Sequence, residues 1–476
     1  MVPSALFFMC NSRARGGMEQ IPMNNSNRIA MNFSEVLAKL AAEGRLVRVK
    51  SEVDTAYQAA GIARAYEGRQ VVLFEKLRGH SFPLAIGLLW NRDNLASVFD
   101  TTAEKLPFLF NDAVKSLHLN PVAPIVVDQA PAQAVLMPEP DLAKIPVPIL
   151  AEKDGGPYFD NCVVIAKDPD TGVRNASIHR LMVTGKNRLG LLMDLGRHLR
   201  DYYERAEARG QALEITINNG VHPAYYVAAI TPSAAAPIDV DELSVASALL
   251  KEPARLCKSK TVSVEGIADA QLIMEAAILP HVREPEGPFG EVSGYYAQRD
   301  DRWVVEVRAI THAVNPVIST LLPGKEVWNS VGLGVEPNIF ETLSRQVKGL
   351  KKVYMSHGGS QYHVILQIDP PLNGMAKNAI MAAFACYPAL QMVTAVNSDV
   401  DIYDAEDVER ALVTRCDPAR DIIIIRDALC HELNPVAPGG VGSKMGFDCT
   451  CPLPKERKYE RVTFKEVNLA DYDIEE

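Results

Sequence analysis

The sequence is short of several things, and each shortage removes a class of function. Eight cysteines (10, 162, 257, 386, 416, 430, 449 and 451) are scattered over 476 residues, too thinly for a disulfide-built scaffold. A reducing compartment, the cytoplasm, is the expected location. Cys449 and Cys451 form a C-x-C pair without a second pair or a neighbouring histidine, so no metal is assigned there. The apolar run 5–9 is too brief for a signal-peptide core or a membrane span, and no integral membrane contact is expected. Positive charge is not in excess: 49 Lys and Arg against 59 Asp and Glu leave a net charge of −10, which argues against nucleic acid or an anionic membrane as partner. No G-x-G-x-x-G or G-x-x-x-x-G-K-[ST] lies between a strand and a helix, and no internal repeat is present. Dinucleotide-binding and P-loop folds are therefore disfavoured.

What the chain does have is core material. Hydrophobic residues make up 47% and charged residues 23%, the balance of a globular small-molecule enzyme, and the length calls for two or three domains. Residues 1–31 read as a disordered extension. Phe33, Val36, Leu37 and Leu40 stand at helical spacing, and strands are expected at 46–49 and 71–74, giving a small α/β domain over 32–120. Seven prolines between 121 and 148 predict an extended, semi-rigid connection. From 121 to 325 short β-rich runs (162–166, 212–217, 225–230, 304–310) suggest a barrel or sandwich, interrupted by a helix at 199–209 and another at 241–250 capped by Asp239. Beyond 326, helices at 338–347, 376–386 and 405–414 alternate with strands at 364–368, 392–396 and 422–425. That alternation predicts a separate α/β domain, 326–476, on a largely parallel sheet.

The chemistry concentrates in Glu286-Gly-Pro-Phe-Gly-Glu291, followed by Gly294-Tyr-Tyr296. Pro288 between Gly287 and Gly290 breaks helical pairing, so both carboxylates are expected on a loop or strand edge. Two acids on one irregular segment can occupy different environments, one ionised and one held toward neutrality, as acid/base chemistry requires. In Asn175-Ala-Ser-Ile-His-Arg180, extended geometry turns Asn175, Ser177 and His179 one way, and Ile178 and Arg180 the other. Arg197-His198 opens a helix, where backbone N–H groups favour anions. Asn175, His198 and Glu242 would together suit a hard or borderline divalent cation, although spacing alone does not unite them.

These motifs, with Val183-Thr-Gly-Lys-Asn-Arg188, Val240-Asp-Glu-Leu243, Ala246-x-Ala-Leu-Leu-Lys-Glu-Pro253, Asp399-Val-Asp-Ile-Tyr-Asp404 and Gly442-Ser-Lys-Met-Gly446, occur in the order seen in UbiD-family decarboxylases, which the chain resembles from about residue 32 onward. The resemblance implies an α/β fold: an N-terminal α/β segment, a central flavin-reductase-like split β-barrel, and a C-terminal α/β domain for oligomerisation. It implies prenylated FMN as cofactor, with Asn175, His198 and Glu242 binding a divalent cation (manganese, or magnesium or iron(II)) beside the cofactor phosphate, and a potassium ion. Ser177, Ile178, His179, Arg180 and Arg197 would line the cofactor. Arg180, Glu286 and Glu291 would be catalytic: Arg180 anchors the substrate carboxylate and Glu291 donates the proton that replaces CO2. The implied reaction is a reversible, non-oxidative decarboxylation of an aromatic, heteroaromatic or α,β-unsaturated acid through a covalent substrate–cofactor adduct. The implied partners are a flavin prenyltransferase that supplies the cofactor and further copies of the chain, as homodimer or homohexamer. Two other readings stand beside it, a UbiD-like subunit of a multi-subunit aryl carboxylase and a metal-dependent hydrolase. Many relatives carry a lysine where this chain has Gln391, which leaves Lys377 or Lys444 as candidates to compensate at the phosphate.

Overall fold

The helix Phe33–Ala42 starts at a capping box: the Asn32 side chain accepts from the Glu35 backbone N–H, and Glu35 reaches back to the Asn32 N–H. Phe33, Val36, Leu37 and Leu40 form its buried stripe, as their spacing predicts. The computed structural model describes residues 30–468 apart from 195 and 234, together with 472, so the extension expected over 1–31 lies outside the described residues as far as residue 29.

Among the described residues three main sheets form the α/β fold. The first has four strands in the order Leu46–Val53, Val71–Leu77, Leu84–Ile86 and Ile318–Thr320; its last strand arrives from some 230 residues downstream. The central sheet has nine strands and curls into a half-barrel, in keeping with the split barrel that the resemblance implies. Its order is Tyr158–Phe159, Leu181–Val183, Arg188–Leu191, Asp300–His312, Leu272–Glu286, Leu213–Asn219, Val163–Lys167 and Arg174–Ile178, with Val135–Met137 added along Asp300–His312. All of its pairings are antiparallel. Inward residues such as Ile215, Ile217, Leu272, Met274 and Ile278 are fully buried, which is the alternation that makes these runs strands.

Several expectations give way here. Residues 225–229 are not a strand but part of the helix Pro223–Ala229, with Ile230 as its C-cap; Pro223 begins it and the His222 side chain caps the Ala224 N–H. All seven of its residues are buried, so no amphipathic period betrays the helix. The proline-rich run is more than a connection, since Ile125–Val127 pairs with Arg255–Cys257 and Val135–Met137 joins the central sheet. The helix expected from 241 is Leu243–Leu250, and Asp241, not Asp239, accepts the Leu243 N–H. The helix expected at 338–347 is Lys325–Ser344; it continues through Gly332, Gly334 and Pro337 because buried Asn329, Leu333, Glu336 and Ile339 anchor it. The C-terminal sheet runs Leu350–Met355, His363–Ile368, Met392–Val396, Val441–Cys449, Ile422–Leu429, and is mixed, with parallel inner pairs and antiparallel outer ones. Its two unforeseen strands carry lysines, or glycine, serine and aspartate, that dilute the strand signal. No helix among the described residues is long and apolar enough to cross a membrane.

Buried ionisable groups set a pH optimum for stability. Burial pushes the Asp160 and Glu326 carboxyls up to about 7 and about 8, and the His179, His222, His357 and His363 rings down to about 4. As pH falls from 6.5 toward 4, the unfolded chain binds protons that these folded rings refuse, and stability is lost. As pH rises above 6.5 the rings no longer titrate, while the folded chain still holds carboxyl protons that the unfolded chain has released, so stability falls again toward pH 8. The thermal midpoint is expected to peak near pH 6.5, and calorimetry across this range checks it. A midpoint that still climbs at pH 8 would contradict these burial effects.

Candidate active site

The strands Leu272–Glu286 and Asp300–His312 stay paired as far as Glu286 opposite Asp300, and the chain between them folds back as a small hairpin of Phe289–Gly290 on Tyr296–Ala297. Glu286 is thus the last residue of a strand and Glu291 the first of the turn, where its N–H donates to the Tyr295 carbonyl at 2.9 Å. Gly287 has φ +95°, and a Cβ there would stand 3.1 Å from the Gln298 carbonyl oxygen. Only glycine suits that corner.

Arg180 joins the two acids. It lies between the strands Arg174–Ile178 and Leu181–Val183, with Nε and Nη2 donating to the two oxygens of Glu286 at 3.0 and 2.8 Å and Nη1 donating to Glu291. Glu286 is wholly buried and also accepts the Tyr158 hydroxyl at 2.9 Å. The guanidinium sits 5.1 Å from the centre of the Phe289 ring. Gly190 makes room for this pair, since a Cβ there would come within 3.1 Å of the Glu286 side chain. Burial raises the Glu291 carboxyl above its ordinary range against the pull of Arg180, with Asp194 and Glu286 adding to the rise. Burial likewise raises Asp154, which accepts the Gly290 N–H at 2.8 Å and so braces the hairpin.

Arg180 and Glu291 stand where two cavities meet. One, of about 270 Å³, has mostly apolar walls, including Ile178, Tyr226, Val227 and Leu321, together with His179 and Arg197. The helix Lys325–Ser344 contributes Val327 and Val331, and the C-terminal region contributes Gln361 and His431. The other, of about 540 Å³, is more polar and is lined by Tyr295, Arg299, Arg302 and Glu432.

The other sequence candidates form a second group. Asn175 Nδ2 donates to Ser177 Oγ at 3.1 Å, and His179 Nε2 lies 3.0 Å from that oxygen while its Nδ1 lies 3.1 Å from the Leu192 carbonyl, so the three side chains do share one side of the strand. Burial and nearby Arg197 hold His179 at about 4, a neutral ring. His198 opens the helix His198–Ala208 and places Nδ1 3.5 Å from Glu242 Oε1, while Glu242 Oε2 accepts the Ala176 N–H at 3.1 Å. His198 and Glu242 are thus brought together beside the backbone of the strand that carries Asn175, whose own amide turns to Ser177. Burial raises Glu242 against the pull of its hydrogen bond with His198. Among the described residues no three His, Cys, Asp or Glu side chains cluster as a metal site.

Neither compensating lysine is free. Lys444 Nζ donates to the Pro388 and Leu390 carbonyls at 2.6 Å, and Lys377 Nζ donates to the Arg420 carbonyl. Leu321 lines the apolar cavity and Pro435 the polar one, whereas Leu322 is buried in the core. Trp328 lines neither; its indole N–H donates to the Val292 carbonyl at 2.9 Å, which ties the long helix to the Glu291 turn. Sequence reasoning passed over Tyr158, Asp154, Asp160 and His431. The run Asp154-Gly-Gly-Pro-Tyr158-Phe-Asp160 could have flagged three of them, since it repeats the glycine–proline punctuation of the Glu286 segment.

The 3-octaprenyl-4-hydroxybenzoate carboxy-lyase family models match the chain in three parts, the N-terminal domain over residues 37–113, the Rift-related domain over 125–326 and the C-terminal domain over 329–449. The anhydromevalonate phosphate decarboxylase of Methanothermobacter thermautotrophicus is 34% identical over 421 residues, 88% of this chain and 97% of that one. The UbiD-class enzyme HmfF from Pelotomaculum thermopropionicum, solved in complex with FMN, is 39% identical with a TM-score of 0.88, over 93% of this chain and 100% of that one. The 3,4-dihydroxybenzoic acid decarboxylase AroY from Klebsiella pneumoniae is 29% identical with a TM-score of 0.86, over 92% and 98%. With all three family models matched in order and relatives aligned over nearly their whole length, the chain belongs to the UbiD family of carboxy-lyases.

Proposed function

We propose that this chain catalyses the reversible, non-oxidative decarboxylation of an aromatic, heteroaromatic or α,β-unsaturated carboxylic acid. The observation that carries this reading is the Arg180 guanidinium, clamped by Glu286 and shared with Glu291 at the wall of an apolar cavity. Support comes from HmfF, whose structure contains FMN, and from AroY, which is named for an aromatic acid. Prenylated FMN, when bound, supplies the covalent electron sink that a carbanion on an unsaturated carbon cannot find among amino-acid side chains. The apolar walls with His179 and Arg197 suit a planar, phosphate-bearing ligand, and Asn175, His198 and Glu242 suit a manganese, magnesium or iron(II) ion beside that phosphate.

The chain's own residues account for the carboxylate and the proton. Because Glu286 holds Nε and Nη2, the guanidinium plane is fixed and only Nη1 can be exchanged. A substrate carboxylate takes that nitrogen by displacing Glu291. Glu291 then loses its cation and gains a neighbouring anion, so its carboxyl rises further and takes up a proton. It delivers that proton to the carbon that CO2 has left, and the apolar wall keeps water from doing so first. A flavin prenyltransferase is the proposed supplier of cofactor and a homo-oligomer the proposed working form, with domains 32–120, 121–325 and 326–476.

Protein made alongside a flavin prenyltransferase is expected to release CO2 from an unsaturated acid, and protein carrying plain FMN or no flavin is expected to be inactive. Equal turnover without prenylated cofactor would refute the reading. In the same preparations His198→Ala and Glu242→Ala should fold yet retain much less flavin, and unchanged flavin content in both would remove the cation from the proposal.

A further inference from the structure

Asp160 follows the strand Tyr158–Phe159 and lines the apolar cavity, with only 6% of its surface exposed. Its Oδ1 accepts the Thr320 hydroxyl at 2.6 Å and the Leu321 N–H at 3.1 Å. Its Oδ2 is buried and has no hydrogen-bond partner among the described residues. A buried polar atom without a partner is costly, and an ionised one far more so. We propose that Asp160 is a specificity-determining residue of this cavity, presenting a neutral carboxyl O–H at Oδ2 to a hydrogen-bond acceptor on a planar ligand. The division of labour follows from the contacts: both donors converge on Oδ1, which makes it the carbonyl oxygen and leaves the hydroxyl to Oδ2. The surroundings point the same way, because burial raises Asp160 to about 7 and the like charge of Asp154 adds to the rise. Neither the Arg180 clamp nor the Asn175, His198 and Glu242 group uses this carboxyl. The inference rests on the cavity being the ligand site of the proposed reaction.

Two ligands could supply the acceptor, a ring carbonyl of the flavin or a heteroatom of the substrate ring. Asp160→Asn keeps a donor in place of Oδ2, whereas Asp160→Leu removes it. The first measurement is FMN affinity of the apo-protein, by quenching of flavin fluorescence. The second is the affinity of flavin-loaded protein for nicotinate against benzoate, two carboxylates of one size of which only nicotinate has a ring acceptor. If the flavin is the partner, Asp160→Leu should bind FMN about tenfold more weakly and Asp160→Asn nearly as well as the parent. If the substrate is the partner, FMN binding should hold, and a preference for nicotinate should vanish in Asp160→Leu and survive in Asp160→Asn. Unchanged values in both assays for Asp160→Leu, or equal losses in the two variants, would overturn the proposal. Should Asp160→Leu not fold, infrared difference spectra of the parent and Asp160→Asn decide: a protonated-carboxyl band that shifts on ligand binding in the parent and is absent from Asp160→Asn supports the donor, and no such band overturns it. A parent protein that binds neither flavin nor acid would instead refute the ligand-site reading itself.

Discussion

Glu291→Gln is expected to keep its fold, its flavin and its substrate affinity, and to lose turnover by about 10²- to 10⁴-fold, the usual contribution of general acid catalysis. Glutamine preserves the shape of a side chain whose backbone N–H is tied to Tyr295, so the hairpin and the approach to Arg180 should survive. It cannot release an acidic proton. The loss should fall on kcat more than on KM, because substrate anchoring rests with Arg180. Exchange of deuterium into the product carbon reads the same proton delivery and should slow in parallel. Near-normal turnover and exchange would show that another group, such as Glu286 or water, protonates the product.

Arg180→Met is expected to abolish turnover and to destabilise the protein by about 3–5 kcal/mol, the cost of leaving a buried charge unpaired. Glu286, without exposure to solvent, would keep only the Tyr158 hydroxyl as a partner. Removing the second charge as well, in Arg180→Met/Glu286→Leu, should restore much of the thermal midpoint while leaving the enzyme inactive. Arg180→Lys should be milder for stability than for rate, since an ammonium keeps the charge but lacks the fork that spans both Glu286 oxygens and still reaches Glu291. A double variant as unstable as Arg180→Met would show that the pair stabilises through something other than mutual charge compensation.

Much of the candidate site was legible along the chain because its pieces are local. Gly287-Pro288 followed by Gly290 disfavours a helix on local grounds, and the structure shows a strand end and a hairpin turn there. The alternation of Asn175, Ser177 and His179 needs only extended backbone, and the hydrogen bonds through Ser177 Oγ reproduce it. The failures are just as physical. The helix Pro223–Ala229 is buried on every side, so hydrophobic period carried no information about it. The helix Lys325–Ser344 continues through two glycines and a proline because contacts such as that of Asn329 with the Leu89 carbonyl hold it.

By itself the sequence determined the order of the motifs, the backbone character of each and the chemical type of every donor, because φ preferences, caps and side-chain chemistry act within a few residues. Tertiary structure alone decided which of them meet. Arg180 reaches Glu286 and Glu291 across more than a hundred residues, and Asp160 is held by Thr320 and Leu321 from far down the chain. Burial, which raises Glu291 and Asp160 and neutralises His179, is a property of the packed whole. No local pattern encodes the loss of water on which that chemistry depends.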